Sequence, residues 1–207
     1  MIHVKSEGGI TTLTLDRPDK ANALTEAMLS DLLKAVNAAK DAPALILTGT
    51  GRVFSAGADL EAARAGLATS PLWEKLSGAI AAYPGLSIAA LNGTVAGGAN
   101  GMVLACDLRI AAPGTKFFYP VMKLGFLPQP SDPIRMTALV GAARTKWMLM
   151  AGQKIDTDQA LAFGLVDQIV PAENLMDRAW ALCTDCVAAD PSTARAIKVL
   201  CQEETRR

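Results

Sequence analysis

Two short stretches of this chain join small residues to the start of a helix, a place where the backbone itself can do chemistry. The first, GRVFSAGADLEAA (51–63), leaves an apolar run and enters a helical one through Ser55, Ala56, Gly57 and Ala58. The second, NGTVAGGANGM (92–102), repeats the arrangement after the next apolar run. Small side chains let a ligand approach the backbone closely. The first N–H groups of a helix lack partners within it and carry the positive end of its dipole. One N–H from each of two such turns can converge on a single oxygen as an oxyanion hole, where losing one donor typically costs about 10²–10³ in rate. Taken singly, each turn also fits a plainer reading, in which glycine merely permits a tight strand-to-helix turn. Neither is a nucleotide motif, because AGGANG lacks the GxGxxG spacing and GTGR lacks the P-loop lysine.

The elements around these turns alternate. GITTLTLD (9–16) alternates apolar and polar residues and predicts a strand ended by Arg17-Pro18. From Thr25, a plausible cap, Met28, Leu29, Leu32, Leu33 and Val36 recur at helical spacing. ALILTG (44–49) and LSIAAL (86–91) read as short buried strands, with a helix over 72–82 between them that Pro84-Gly85 breaks. The helix opened by Gly97-Gly98 runs into a strand over LRIAA (108–112). This order predicts an α/β fold with right-handed crossovers. After Pro133 the chain turns mostly helical, with one more short strand in LVDQIV (165–170) and amphipathic helices from Ala172 on.

Bulk properties exclude several classes. A length of 207 residues suits one domain or a domain with a small appendage, and 51% apolar residues easily supply a core. Twenty basic and twenty acidic residues cancel, with no basic stripe for nucleic acid. The start, MIHVKSEGGITTLTL, has no targeting pattern, and no apolar run nears bilayer-spanning length. A cytoplasmic protein without membrane or nucleic-acid partners is expected. Cys106 lies in an apolar run, and Cys183 and Cys186 lie in the helical stretch AWALCTDCVAA, which favours neither zinc nor redox chemistry. His3, the only histidine, is expected to be structural or exposed.

SAGADL (55–60) with NGTVAGGANGMVLACDLRIAA (92–112) resembles the crotonase superfamily, the enoyl-CoA hydratase/isomerase family. LDRPDKANAL (15–24), FFYPVMKLG (117–125) and GQKIDTDQALAFGLVDQIVP (152–171) extend the resemblance, in order, over nearly the whole chain. It implies an α/β fold, a crotonase-like spiral of ββα units over 1–171, followed by a short C-terminal helical region over 172–207. It also implies acyl-CoA thioester substrates and an enolate formed when a proton leaves the carbon beside the thioester. Carried over by position, the oxyanion donors are the N–H groups of Ala58 and Gly98. Ala56, Asp59 and Leu60 line the CoA pocket, helped by Lys20, Ala21 and Ala23 in the segment Lys20–Leu24. Asp59 equally suits the first turn of a helix with no ligand. Coenzyme A arrives as part of the substrate, so no separate cofactor and no metal is expected, and the resemblance implies a homotrimer.

The chain departs from the hydratase pattern where the resemblance implies two glutamates. Gly101 and Val121 stand there, and neither takes a proton. General acid–base help is worth about 10²–10⁴-fold, so ordinary hydration is not expected. FFYPVMKLGFLPQPSD is closer to the isomerase subgroup, whose base aligns with Gln129, an amide that does not titrate but can orient a water or a carbonyl. Asp132 is the nearest carboxylate; buried against an acyl chain its pKa would rise to suit a proton shuttle. Ser131-Asp132-Pro133 is also what a helix start looks like, with Asp as cap, and the cap is the plainer reading. Tyr119 and Lys123 are lesser candidates, and Met148 and Met150 beside Trp147 could form an apolar acyl or subunit surface but more simply pack a helix. The sequence stops at ARAIKVLCQEETRR, so the helices that cover the acyl pocket in the family are expected to be missing or abbreviated. The leading expectation is a double-bond shift in an enoyl-CoA through a thioester enolate. The alternatives are an acyl-CoA decarboxylase of the same family and a non-catalytic acyl-CoA binder.

Overall fold

The computed structural model describes residues 1–203. The chain opens with a hairpin, β1 (Ile2–Glu7) and β2 (Ile10–Leu15), then α1 (Glu26–Ala38), whose Thr25 cap accepts a hydrogen bond from Met28 N–H. Three ββα passes follow. The first is β3 (Ala44–Gly49), β4 (Val53–Ser55), α2 (Leu60–Arg64) and α3 (Leu72–Ala81). The second is β5 (Leu86–Leu91), β6 (Thr94–Ala96) and α4 (Ala99–Ala105). The third is β7 (Leu108–Ala111), β8 (Phe117–Phe118) and the short α5 (Val121–Leu124). Then come α6 (Asp132–Leu149), α7 (Thr157–Phe163), β9 (Gln168–Ile169), α8 (Leu175–Ala188) and α9 (Pro191–Glu203).

The first strand of each pass joins a six-stranded sheet ordered β1-β2-β3-β5-β7-β9, parallel except for the β1–β2 hairpin. The second strand joins a three-stranded parallel sheet, β4-β6-β8. This is the mixed α/β, crotonase-like spiral that the sequence implies, with helices following. Both faces of the central strands β3 and β5 are buried, which explains why these read as unbroken apolar runs. On β3, Leu45 and Leu47 face the main core with α1, α3 and α4, while Ala44 and Ile46 face a second core. That second core is closed by Leu175, Ala179 and Cys183 of α8.

Several elements differ from expectation, each for a local reason. β1 is an edge strand exposed over most of its length and lacks a buried alternation. The small sheet is built of two- and three-residue strands, too short to show any period. The strand expected over 165–170 narrows to Gln168–Ile169. α6 is two helices joined at Gly141, whose φ of +81° and ψ of 160° are not helical. Met148 is buried, whereas Trp147 and Met150 are exposed, so the helix-packing reading holds for the first only. No helix among the described residues is long and apolar enough to cross a membrane. Of the described helices after residue 172, α8 packs on the back of the large sheet, and α9 follows it, joined to the body by Lys198 Nζ donating to Gly85 O at 2.9 Å.

Candidate active site

β4 and β6 run parallel and side by side, so the turns that leave their ends lie together. The contact is backbone to backbone. A Cβ on Gly57, whose φ is +87°, would stand 2.7 Å from Ala96 O and 3.4 Å from Gly97 Cα, so only glycine allows the two turns to meet.

Each turn is held by several of its backbone groups. In the first, Ser55 Oγ accepts from Gly57 N–H at 3.1 Å and Leu24 N–H donates to Gly57 O at 2.7 Å. Asp59 N–H donates to Leu24 O at 2.9 Å, and Ala56 N–H to Ala21 O at 2.9 Å. In the second, Gly97 N–H donates to Phe118 O at 3.1 Å, and Asn100, through its backbone N–H and its Nδ2, donates to Gly97 O. Among the amides that donate to no other group of the described residues are Ala58 N–H and Gly98 N–H, one from each turn. Two half-buried donors left unpaired at adjoining turns are an unusual economy in a folded chain. They can serve an oxygen that arrives with a ligand.

Both amides open onto a cleft of about 360 Å³. One wall comes from α2 and α3 (Leu60, Ala63, Arg64, Trp73), the other from the segment around α5 (Tyr119, Val121, Leu124, Phe126, Leu127), and Ala56 and Gln129 also line it. Trp73 forms the floor beneath Gly98. A Cβ there would meet three atoms of its indole ring at 3.0–3.2 Å, and the ring is fixed by Nε1 donating to Leu67 O at 2.8 Å.

The carboxylate question has a structural answer. Gly101 lies one helical turn beyond Gly98, its N–H donating to Gly98 O at 3.1 Å. The space its side chain would enter is filled by Asp132: a Cβ on Gly101 would stand 2.8 Å from Asp132 Oδ1 and 3.1 Å from Oδ2. The carboxylate missing from α4 is thus faced by one from the start of α6. Asp132 is fully buried, and Tyr119 Oη, on the cleft wall, donates to its Oδ2 at 2.9 Å. Its Oδ1 has no partner among the described residues. The capping reading of Asp132 is therefore corrected. Ser131 is the N-cap, Asp132 is already helical, and its side chain turns inward to Tyr119.

Burial pushes the Asp132 carboxyl up to about 6; Tyr119 and Arg135 pull it down and Glu74 pushes it further up. Tyr119 itself is raised, first by burial and then by the Asp132 charge, so it stays protonated. The charged neighbours are held in a two-rung clamp between α3 and α6. Glu74 accepts from Ser131 Oγ and, at 3.3 Å, from Ser131 N–H, and Arg135 Nη1 donates to Ser77 Oγ at 2.9 Å. Removing the Glu74 charge with Glu74→Gln is expected to lower the Asp132 pKa, and Arg135→Gln to raise it. Carboxyl ¹³C NMR titration checks this pair of opposite signs; shifts in one direction for both variants would contradict it.

The raised pKa has a cost in stability. Below about pH 4 the Asp132 carboxyl is protonated folded or unfolded. Between the unfolded value of 3.8 and the folded value of about 6 the native state holds more protons, so stability falls as pH rises through that window. A shift of about two units corresponds to about 3 kcal/mol. Urea unfolding is expected to show Asp132→Asn gaining on the wild type between pH 4 and pH 8 by up to that amount. A constant difference across the range would contradict the buried charge.

The other expected site residues divide. Ala56, Ala58, Leu60, Gly98 and Gln129 line the cleft; Lys20, Ala21, Ala23 and Asp59 do not. Lys20 is exposed, and Ala21 supports the first turn through its carbonyl. The Asp59 carboxylate accepts from Glu61 N–H and Ala62 N–H and pairs with Arg17 Nη1 at 2.8 Å. Arg17 first, then these N–H groups, hold its pKa below the ordinary value. The cap, rather than the pocket lining, accounts for Asp59. Lys123 is exposed, and His3 is an exposed partner of Asp16 on the hairpin. Trp73, Glu74, Arg135 and the 124–127 segment carry no local signal in the sequence. Cys183 and Cys186 donate weakly to Ala179 O and Pro43 O, and no metal-holding cluster of His, Cys, Asp and Glu occurs among the described residues.

Comparison with known proteins agrees with this architecture. The model of the family described as enoyl-CoA hydratase/isomerase matches residues 5–207. A Mycobacterium tuberculosis protein named a probable enoyl-CoA hydratase is 33% identical over 207 residues, covering 95% of this chain and 79% of its own. A carnitinyl-CoA dehydratase of Citrobacter koseri is 34% identical over 210 residues, covering 95% and 78%. The crystal structure of an enoyl-CoA hydratase from Bacillus anthracis superposes with a TM-score of 0.92 at 28% identity, over all of this chain and 84% of that one. A spiral of ββα passes, two adjoining glycine turns and a match along nearly the full length lead to one assignment: this chain belongs to the enoyl-CoA hydratase/isomerase family, whose members act on acyl-CoA.

Proposed function

We propose that this protein shifts a double bond in an enoyl-CoA, from the 3-enoyl to the 2-enoyl thioester, through an enolate whose oxygen rests on Ala58 N–H and Gly98 N–H. The single observation that carries the reading is the carboxylate of Asp132, the only buried one among the described residues, set beside Gly101 one helical turn from Gly98 and bonded to the cleft-lining Tyr119. A double-bond shift needs one group that takes a proton and returns it, whereas adding water needs help at two places. The two positions where the resemblance implies glutamates hold Gly101 and Val121.

The thioester oxygen accepts from the two amides. The proton on the carbon beside the thioester passes to Asp132 by way of the Tyr119 hydroxyl, which gives its own proton to the carboxylate as it receives the substrate's. The C–H electron pair moves into a dienolate. The proton returns at the far end of the dienolate, leaving the double bond conjugated with the thioester and Asp132 ionised again. A carboxyl with a pKa of about 6 is suited to both directions near neutral pH. No metal and no separate cofactor enters these steps.

A second reading, decarboxylation of an acyl-CoA, is favoured by one fact: among the described residues no carboxylate lines the cleft itself. Its substrate would form the same enolate by losing carbon dioxide, with no base at the α-carbon. Incubating the protein with 3-enoyl-CoA thioesters and following the conjugated product by absorbance tests the first reading. Conversion without hydrated product supports it. A hydroxyacyl-CoA as main product, or turnover only of α-carboxyl thioesters, overturns it.

A further inference from the structure

The cleft over Ala58 and Gly98 is apolar almost throughout, and one side chain breaks the pattern. Arg64 is the only charged residue among those that line it. It ends α2, is exposed, and makes no ion pair or hydrogen bond among the described residues. A cation near the end of a helix is mildly favourable without any ligand, but five residues of helix provide little dipole to answer. A guanidinium offers a fork of donors matched to a carboxylate, and here it offers them beside alanines, leucines and an indole.

The wall on which Arg64 stands argues for which part of a thioester it meets. The segment 20–24, where the resemblance places coenzyme A, lies along one edge of the first turn, bonded to Ala56 and Gly57. The second turn lies along the other edge, with Trp73 beneath Gly98. Arg64 shares its wall with Leu60, Ala63, Ala68 and Trp73, the last of which packs under the second turn, and its side chain is not bonded to the strip at 20–24.

We propose that Arg64 selects acyl thioesters whose acyl group carries an anionic oxygen group, such as a terminal carboxylate. The inference rests on the acyl-thioester reading above and narrows its substrate class. An exposed guanidinium stays hydrated when no acceptor arrives, so the preference expected from a charge-assisted bond to a carboxylate is modest.

The test is calorimetric titration of the wild type and Arg64→Gln with three thioesters of equal chain length. They are a CoA thioester ending in a carboxylate, one ending in a methyl group, and the carboxylate-ended acyl group on pantetheine, which lacks the nucleotide phosphates. The wild type is expected to bind the carboxylate-ended CoA thioester about tenfold tighter than the methyl-ended one. Arg64→Gln is expected to erase that preference and to weaken the pantetheine ester equally. If Arg64→Gln weakens both CoA thioesters alike and leaves the pantetheine ester unchanged, Arg64 reads a CoA phosphate and the proposal is overturned. Unchanged affinities in all three arms also overturn it. Tight binding of the methyl-ended ester alone defeats this inference and leaves the acyl-thioester reading standing. Failure of every thioester to bind defeats both.

Discussion

Asp132→Asn is expected to lower the rate of the double-bond shift by about 10²–10⁴-fold while acyl-CoA affinity stays within about threefold. The asymmetry follows from where the residue sits. Asp132 is fully buried and is not part of the cleft lining, so it contributes little to holding the ground state. In the proposed reaction its carboxylate acts only when a proton moves. Asparagine has nearly the same shape and can still accept from Tyr119 Oη, so the fold around Gly101 is preserved. Tyr119→Phe is expected to produce a comparable loss, because the ring remains and the hydroxyl between carboxylate and cleft is gone. Stopped assays of kcat and KM on 3-enoyl thioesters check both variants. A Tyr119→Phe enzyme at wild-type rate would remove the hydroxyl from the proton's path, and an active Asp132→Asn enzyme would remove the base.

The second large effect is expected from a single methyl group. Gly98→Ala has no conformational objection, since φ is −59° and ψ is −18°. The obstacle is the indole of Trp73 at 3.0 Å from the new Cβ. Trp73 is buried and tied by Nε1 to Leu67 O, so the backbone of the turn must yield instead. Its N–H is then no longer aimed at the oxygen on which charge develops. Displacing one oxyanion donor is expected to cost about 10²–10³ in kcat with little change in KM. Trp73→Leu in the same chain is expected to restore part of the rate, by giving the methyl group room. A fall in affinity equal to the fall in rate would argue instead that the cleft has collapsed.

Much of this architecture is legible in the sequence, and the exceptions have physical causes. The buried strands over 44–49 and 86–91 appear at those bounds, because a strand covered on both faces leaves an unbroken apolar run. The two glycine turns are legible for the same reason that they are useful. Close backbone approach demands residues without side chains, and Gly57 against Ala96 O shows the demand. The small sheet is invisible because its strands of two or three residues are held by position in the spiral and not by their own pattern.

Asp132 shows the limit most clearly. Locally, Ser-Asp-Pro reads as a cap followed by the first helical turn. The competing term lies 57 residues away, where Glu74 takes both the hydroxyl and the amide of Ser131 and Tyr119 offers a phenol to the next carboxylate. Tertiary hydrogen bonds therefore overrule the local capping preference. The emptiness at Gly101 is likewise ambiguous alone. Only the fold shows that the missing side chain leaves room for a carboxylate arriving from another helix.

The most direct test of an enolate held by Ala58 and Gly98 is α-proton exchange in D₂O, followed by mass spectrometry, with a saturated acyl-CoA that has no double bond to move. Deuterium is predicted to enter the carbon beside the thioester only in the presence of the protein, and not with Asp132→Asn. A saturated thioester that binds in the cleft and keeps all its protons would contradict the enolate, and with it the role assigned to Asp132.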